Sequence, residues 1–296
     1  MIELFPDAFC LVKNLIDRKH LPRPEAISVI DGNTPGWVFV DCVENPSAAL
    51  VWAKGLEGFH FCGDPHSDAF RRDIDGLVGG CLGKRLMENG LDCFEASGDS
   101  GWETIIPHLF PSREVRRDRQ CVYLCGKGKW RVPSVNPVPE GFFLVSLQDV
   151  LAHPGNTFLS PIGFSESSDN TGQIPARFEN HELACGMIER NWGTEADFIS
   201  KGVGFCITTK TRIVSIACSS CEAGATHAIE IETDEAYRRR GLAEIVAQAL
   251  LNAHANLGVL SHWDCMEDNH ASARLAEKLG LVKAYEYDLF WFPIDG

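Results

Sequence analysis

The sequence lacks any stretch that would take the chain into or through a membrane. No apolar run approaches the length of a membrane-spanning helix. The N-terminal residues MIELFPDAFC contain no basic segment followed by an apolar one, so they do not have the pattern of a secretory signal. These two absences predict a cytoplasmic protein with no membrane partner.

Positive charge is also in short supply. The 296 residues include 27 Lys and Arg against 41 Asp and Glu, which gives a formal net charge of −14. Non-specific affinity for nucleic acids comes largely from Lys and Arg on phosphates, so this balance argues against a nucleic-acid partner. A hydrophobic content of 45% with 23% charged residues is typical of a globular protein with a sizeable core.

Regular cysteine spacing is missing as well. The twelve cysteines are scattered, and without an export signal they are expected to be reduced thiols. Cys218 and Cys221 have the spacing of a zinc-ligand pair, with His227 near in sequence, but no second well-spaced pair follows. The sequence therefore predicts no metal site.

The most regular pattern begins with a strand and a glycine-containing turn. Ile229 and Ile231 alternate with charged residues, which predicts a strand over residues 227–233. The turn Arg238–Ala243, with the sequence RRRGLA, follows directly.

A long helix and a second strand come next. Apolar residues recur at helical spacing from Leu242 to Ala253, and Gly258 is predicted to end this helix. Residues 259–264 then predict a strand, and Asp268-Asn269 the start of another helix.

The turn has the composition of a phosphate-binding loop. A helix N-terminus presents backbone N–H groups and the positive end of the helix dipole. Gly241 lets the backbone approach a pyrophosphate, and Ala243 keeps the next turn small. Arg238, Arg239 and Arg240 add positive charges that can reach phosphate oxygens. The alternative is an ordinary turn with a solvated arginine run.

This order of elements resembles the GNAT superfamily of acyl-CoA-dependent N-acetyltransferases over about the last 120 residues. The chain is similar, more narrowly, to the zwittermicin A resistance group of GNAT proteins. That similarity rests on Trp192, on residues 197–205, and on the words IETDEAYRRRGLA and HWDCMEDNHASARLAEKLGL. The resemblance implies an α/β fold for the C-terminal part, a GNAT domain whose mixed, splayed central sheet is flanked by helices. The residues before it lack the GNAT pattern and predict a smaller α/β domain.

We predict two domains. Residues 1–132 form an N-terminal α/β domain of unknown role, in which residues 37–40 and 48–53 predict strands. Three prolines in residues 133–139 predict an extended linker, and residues 140–296 form the GNAT domain. The N-terminal domain could shape the acceptor site, form a homodimer or stabilise the catalytic half, and the sequence leaves these alternatives open.

The resemblance implies acetyl-CoA as co-substrate. The residues expected to bind it are Ile231, Glu232 and Thr233 on the splayed strand, Arg238, Arg239, Arg240, Gly241, Leu242 and Ala243 in the phosphate loop, and Asn269 and Ser272 on the next helix.

Acetyl transfer to an amine needs a general base. His227 falls where many GNAT relatives keep a catalytic Glu, but Glu232 lies closest to the expected acetyl position. We rank Glu232 first, then His227, then Glu230. In a regular strand the two glutamates face away from His227, and a bulge would change that parity. The alternative is that the glutamates are exposed strand residues and His227 is a core histidine.

The sequence offers several candidates for the acid that protonates the leaving thiolate. GNAT proteins usually place a Tyr on the helix after the last central strand, where this chain has Ala276. Tyr287 and Tyr285 on the terminal strand, or Ser272, could substitute. A thiolate could also leave without an acid, since thiols ionise near pH 8.5.

The resemblance places the acceptor beside Trp263 and Asp264, with Asp264 as ligand of the acceptor amine. It implies transfer to a primary amine of a small polar molecule, and more narrowly an aminopolyol or peptide-like antibiotic, giving resistance or self-protection. Two alternatives stay open. The acceptor amine could belong to a protein or an aminoacyl-RNA, or the chain could be a non-catalytic acyl-CoA-sensing module. The second alternative stays open because Ala276 replaces the usual catalytic Tyr.

Overall fold

A computed structural model describes residues 1–16, 23–125, 136–152 and 178–294. Contacts group the chain into two units. The first comprises Met1–Val122, Cys265–His270 and Tyr285–Gly296, and the second comprises Tyr123–Asp264 and Ala271–Ala284. Residues 133–135 of the predicted linker lie outside the described residues, and the division into domains at 132 and 140 stays a prediction.

The described helices are α1 (Pro24–Ile30), α2 (Asp68–Leu77), α3 (Gly83–Glu88), α4 (Trp102–Ile105), α5 (Leu147–Ala152), α6 (His181–Trp192), α7 (Glu195–Lys201), α8 (Leu242–Leu257) and α9 (His270–Lys278). The strands are β1 (Ile2–Leu4), β2 (Gly36–Val40), β3 (Ala48–Ala53), β4 (Gly58–Gly63), β5 (Cys93–Gly98), β6 (Arg116–Leu124), β7 (Phe143–Ser146), β8 (Gly204–Thr208), β9 (Ile213–Ala223), β10 (Thr226–Thr233), β11 (Leu260–Met266) and β12 (Val282–Pro293). In these ranges, no helix combines the length and apolar character needed to cross a bilayer.

The first unit contains antiparallel strand pairs and the parallel pair β4–β5. Strands β1 to β4 pair antiparallel in sequence order, and β5 then pairs parallel to β4. Residues Phe290–Pro293 of β12 pair antiparallel with β5. The strand order is β1-β2-β3-β4-β5-β12-β6. The strands predicted at 37–40 and 48–53 are confirmed as β2 and β3.

Aromatic packing fills the core of this unit. Phe59 and Phe94 stack with ring centroids 4.8 Å apart, and the Phe61 ring lies 5.0 Å from that of Trp102 on α4. A Cβ at Gly98 would come within 2.4 Å of the Trp102 side chain, so the absence of a side chain there lets α4 pack on the end of β5.

The second unit pairs β7, β8, β9 and β10 antiparallel and β11 parallel to β10. The elements predicted between residues 226 and 281 are confirmed as β10, α8, β11 and α9. Gly258 ends α8 with a φ of 71°, a left-handed conformation that glycine adopts without a steric penalty.

The two units share one order of elements. In each, four antiparallel strands are followed by a helix and then by a strand parallel to the fourth: β1 to β4, α2 and β5 in the first unit, and β7 to β10, α8 and β11 in the second. The sequence showed this pattern only in the C-terminal half. In the first unit the turn before the helix reads Asp64-Pro65-His66-Ser67, and the Ser67 hydroxyl accepts the Phe70 N–H and caps α2.

The ring of Phe198 leaves no room for a side chain at either glycine of residues 201–205. A Cβ at Gly202 would lie 2.3 Å from the Phe198 ring, and one at Gly204 would lie 2.9 Å from it. Phe198 in turn meets Trp192 edge to face, with centroids 5.9 Å apart. The residues that carry the narrower resemblance here therefore form one packing unit between α6, α7 and β8.

Candidate active site

Strand β10 is paired with β11 only where it begins. The register joins Thr226 to Leu260, His227 to Ser261 and Ala228 to His262. On its other edge, β10 stays paired with β9 as far as Thr233. The backbone groups of residues 229–233 that point away from β9 are therefore outside the β10–β11 ladder, and the central sheet is splayed as expected.

The side chains of β10 divide between two helices. The register with β9 shifts between Ala228 and Ile229, and the extra residue, Ser220, lies on β9. The alternation along β10 is kept: Ile229 and Ile231 pack in the cluster that includes α8, whereas Glu230 contacts α6.

Glu230 is held in place by two side chains of α6. Arg190 donates a hydrogen bond to its carboxylate at 2.6 Å, and the Asn191 side-chain amide donates another. Glu230 is only partly exposed. Its carboxylate is thus held by two hydrogen bonds, so Glu230 is a weaker candidate for the general base than a carboxylate without such partners.

Glu232 has a different environment. It is exposed, and no described residue forms a hydrogen bond or ion pair with its carboxylate. It lies in the part of β10 that is outside the β10–β11 ladder. A carboxylate in this setting is accessible to an incoming amine or to a water that relays its proton.

His227 lies in a buried hydrogen-bond chain. Its Nδ1 is 3.0 Å from the Ser219 hydroxyl, which is 2.9 Å from Nε2 of His254, and Nδ1 of His254 is 2.8 Å from the Ser261 hydroxyl. Burial lowers the pKa of His227, and burial followed by the neighbouring His227 lowers the pKa of His254 to about 3. Both imidazoles are therefore neutral at pH 7, as in a hydrogen-bonded core.

The turn between β10 and α8 contains two left-handed residues. Arg239 has a φ of 62° and Gly241 a φ of 77°. Nothing lies within 4 Å of the position that a Cβ on Gly241 would occupy, so the space above this backbone is open. The next residue, Leu242, begins α8, which receives no side-chain cap from any residue that the structure describes. The N-terminus of α8 is thus available to an anion.

The three arginines of the turn are exposed, and two of them contact the turn itself. Arg238 donates from Nε to the Thr233 carbonyl at 3.2 Å, and Arg240 donates from Nη2 to the Ala236 carbonyl at 3.2 Å. Both contacts tie arginine side chains to the backbone that precedes the helix.

An ion pair that the sequence reasoning missed fixes the start of the turn. Asp234 accepts two hydrogen bonds from Arg212, at 2.8 and 2.9 Å, and one from the Ala236 N–H at 3.0 Å. The hydrogen bonds from Arg212 hold the pKa of Asp234 below its usual value. Asp234 was within the matching word IETDEAY, but its partner lies 22 residues earlier, and no local pattern connects them.

A hydrogen bond between side chains joins strand β11 to helix α9. The Trp263 indole N–H donates to the Ser272 hydroxyl at 2.9 Å, which orients that hydroxyl. Trp263 is only 4% exposed, so it supports the site rather than forming an open surface for a ligand. Asp264 is partly exposed beside it, and Ala276 is fully buried in α9.

Three predicted residues lie in segments of the first unit. Tyr287 on β12 is stacked with Arg23, whose guanidinium carbon is 3.6 Å from the ring centroid. Tyr285 is 5.8 Å from the same guanidinium. Asn269 directly precedes α9, and its backbone N–H donates to the Met266 carbonyl at 3.0 Å.

A compact set of potential metal ligands does not include the Cys218 and Cys221 pair that was weighed from the sequence. Among the described residues, the ligand atoms of His181, Cys185 and Glu195 all lie within 4.8 Å of one another. Cys218 and Cys221 are buried and do not belong to this set. The absence of a metal site stays a prediction.

Comparison with known proteins agrees with this geometry. Residues 168–290 match the family model described as GNAT acetyltransferase. Over 291 residues the chain is 23% identical to the uncharacterized N-acetyltransferase YdfB of Bacillus subtilis (strain 168), covering 98% of this chain and 97% of that protein.

Two solved structures share the fold. A GCN5-related N-acetyltransferase-like protein from Streptococcus suis 89/1591 superimposes with a TM-score of 0.57 at 23% identity, covering 92% of this chain and 94% of that one. A tandem GNAT protein from the clavulanic acid biosynthesis pathway, solved without AcCoA, gives 0.53 at 10% identity, covering 91% and 88%. The chain is therefore an acyltransferase, and its residues 168–290 match the GNAT acetyltransferase family model.

Proposed function

We propose that this acyltransferase transfers the acetyl group of acetyl-CoA to the primary amine of a small polar molecule. The observation that carries the proposal is the short β10–β11 ladder, which leaves residues 229–233 outside the ladder shortly before helix α8. This helix follows the left-handed Gly241 and has no side-chain cap among the described residues. An extended acyl-pantetheine arm can pair with such a strand edge, and a pyrophosphate can accept from the helix N–H groups.

In this proposal, acetyl-CoA contacts residues on both sides of the turn between β10 and α8. Backbone groups of Ile231, Glu232 and Thr233 hold the pantetheine arm and polarise the acetyl oxygen. The N–H groups of Gly241, Leu242 and Ala243 face the pyrophosphate, and the exposed guanidinium groups of residues 238–240 supply opposite charge.

Glu232 is the proposed general base. It removes a proton from the acceptor ammonium, directly or through a water, and the neutral amine attacks the thioester carbonyl. The attacking nitrogen then loses a second proton, the C–S bond breaks to leave the amide, and the released CoA thiolate takes up a proton. Ser272 is the better candidate for supplying that proton, because the Trp263 indole orients its hydroxyl whereas the ring of Tyr287 is stacked with Arg23.

The acceptor is proposed to be cationic. The resemblance to GNAT proteins implies that the helices before the central strands, here α6 and α7, wall the acceptor site. They carry exposed carboxylates at Glu182, Glu189 and Glu195 and a partly exposed one at Asp197, and the whole chain has a net charge of −14. This balance favours a small amine over an aminoacyl-RNA. The similarity to the zwittermicin A resistance group suggests an aminopolyol or peptide-like antibiotic as the acceptor, with cytoplasmic self-protection as the biological role.

The first test is mass spectrometry of amines incubated with the protein and acetyl-CoA. The panel contains aminopolyols, aminoglycosides, polyamines and amino acids, together with a protein extract and aminoacyl-RNA. A gain of one acetyl group on a small amine is the expected result. Acetylation confined to the protein or RNA samples would contradict the proposed acceptor class.

The role of Glu232 is tested with a matched pair of variants. Glu232→Gln should lower turnover roughly 10²- to 10⁴-fold, the usual contribution of a general base, and leave the Kd of acetyl-CoA unchanged. Glu235→Gln removes the same charge from another exposed residue three positions later and should have little effect. Equal activity of the two variants would remove Glu232 from the mechanism.

A further inference from the structure

The first unit contains a cavity of about 390 Å³ that the acetyl transfer proposed above does not use. Arg23, which precedes α1, lines it together with Gly98 and Ser100 at the end of β5 and Tyr287 and Asp288 on β12. This volume is in the range that holds small organic ligands. Every one of these residues belongs to the first unit.

Arg23 is a buried cation without a polar partner among the residues that the structure describes. Its side chain is buried, with only 4% of the residue exposed, and Nε, Nη1 and Nη2 all lack a hydrogen-bond partner there. The guanidinium lies over the Tyr287 ring, 3.6 Å from the centroid. A buried charge is costly unless it is hydrogen-bonded, so an arginine in this state points to a missing anion.

The other cations of the cavity are already paired. Arg117 lies 2.9 Å from the carboxylate of Asp288, and Arg119 lies 3.2 Å from that of Glu286. Arg23 therefore differs from its cationic neighbours in having its donors unsatisfied while it lines the cavity.

The chemistry of the lining selects the kind of anion. A guanidinium stacked on an aromatic ring keeps its N–H edge for a planar, bidentate acceptor, which a carboxylate matches. Three carboxylates also line the cavity, and those of Glu286 and Asp288 are paired with Arg119 and Arg117. The third, that of Glu103, would repel the second charge of a phosphate. We propose that this cavity is a second ligand site, in which Arg23 binds the carboxylate of a small monocarboxylic acid or amino acid.

The test uses the full-length protein and a panel of acetate, butyrate, glycine, leucine and phenylalanine, with inorganic phosphate for comparison. Calorimetry and thermal shift are measured on the wild type, on Arg23→Gln, and on Arg72→Gln as control. Arg72 is an exposed arginine on α2. At least one carboxylate should bind the wild type and the control, raise their Tm, and bind Arg23→Gln at least tenfold more weakly.

Without ligand, Arg23→Gln should melt at or above the wild-type Tm, because the change removes a buried charge that has no partner. A lower Tm, or a variant that does not fold, would show that the guanidinium has a structural role instead and would overturn the proposal. The absence of carboxylate binding, equal binding by Arg23→Gln, or binding of phosphate as tightly as carboxylate would also overturn it. None of these readouts involves acetyl transfer.

Discussion

Replacing Arg239 with glycine should stabilise the protein and weaken its binding of acetyl-CoA. Arg239 has a φ of 62°, a conformation that costs a residue with a side chain about 1 to 2 kcal/mol. Glycine removes that cost but loses roughly 0.5 to 1 kcal/mol through the greater entropy of the unfolded chain. The net gain is about 0.5 to 1 kcal/mol, or a Tm increase of roughly 1 to 4 °C.

The same change removes an exposed positive charge from the proposed phosphate loop. A hydrogen bond between charged groups contributes about 1.5 to 3 kcal/mol, and the lower end applies at an exposed site. Since about 1.4 kcal/mol corresponds to a factor of ten, the Kd of acetyl-CoA should rise about tenfold. Calorimetry with acetyl-CoA and differential scanning fluorimetry measure the two effects, and neither requires a known acceptor.

Glu57 provides the matched control. It is an exposed residue with a φ of 58° in the turn between β3 and β4, so Glu57→Gly relieves similar strain without touching the loop. It should raise Tm and leave the Kd unchanged. A fall in the stability of Arg239→Gly would refute the strain reasoning. An unchanged Kd in both Arg239→Gly and a charge-reversed Arg238→Glu would refute the loop assignment.

Two further predictions concern packing and pH. Gly202→Ala should destabilise the protein by roughly 3 kcal/mol, because the new Cβ would overlap the Phe198 ring. Gly186→Ala, in helix α6 with open space around its Cβ, should stabilise the protein by about 0.5 to 1 kcal/mol. Urea unfolding measures both changes. His254 has a pKa of about 3 in the folded protein, so the unfolded chain, with an ordinary pKa near 6.5, binds the proton first. The free energy of unfolding should therefore decrease as the pH is lowered through 6.5, by about 2 kcal/mol between pH 7 and pH 5. His254→Gln should lack this decrease. An equal decrease in the variant would assign the pH dependence to other groups.

The sequence predicted those elements whose signals are local. The alternation around Ile229 and Ile231, the helical spacing after Leu242 and the terminating Gly258 each depend on a few neighbouring residues, and β10 and α8 follow them. The splay of the sheet followed from the resemblance, and the short β10–β11 register agrees with it.

Contacts between distant residues could not be predicted in this way. Glu230 meets Arg190 across 40 positions, and a buried serine joins His227 to His254. Such partners become neighbours only when α6 and α8 pack on opposite faces of the sheet. The repeated topology of the first unit could not be predicted for another reason. The GNAT motifs that can be recognised in a sequence are those of the ligand-binding turn, and residues 64–67, at the corresponding turn of the first unit, contain none of them.

The repeated order of elements has a consequence for mutational tolerance. Two helices, α2 and α8, begin at corresponding points of the two units, but one N-terminus is closed by the Ser67 hydroxyl and the other has no side-chain cap among the described residues. At position 67, the acceptable residues should be those that can cap a helix: Ser, Thr, Asp or Asn. At residues 239–241, the backbone angles set the requirement instead, together with the pyrophosphate of acetyl-CoA that we propose binds there. The helix N-termini of α2 and α8 occupy corresponding positions in the two units, but the residues tolerated there are therefore set by different requirements.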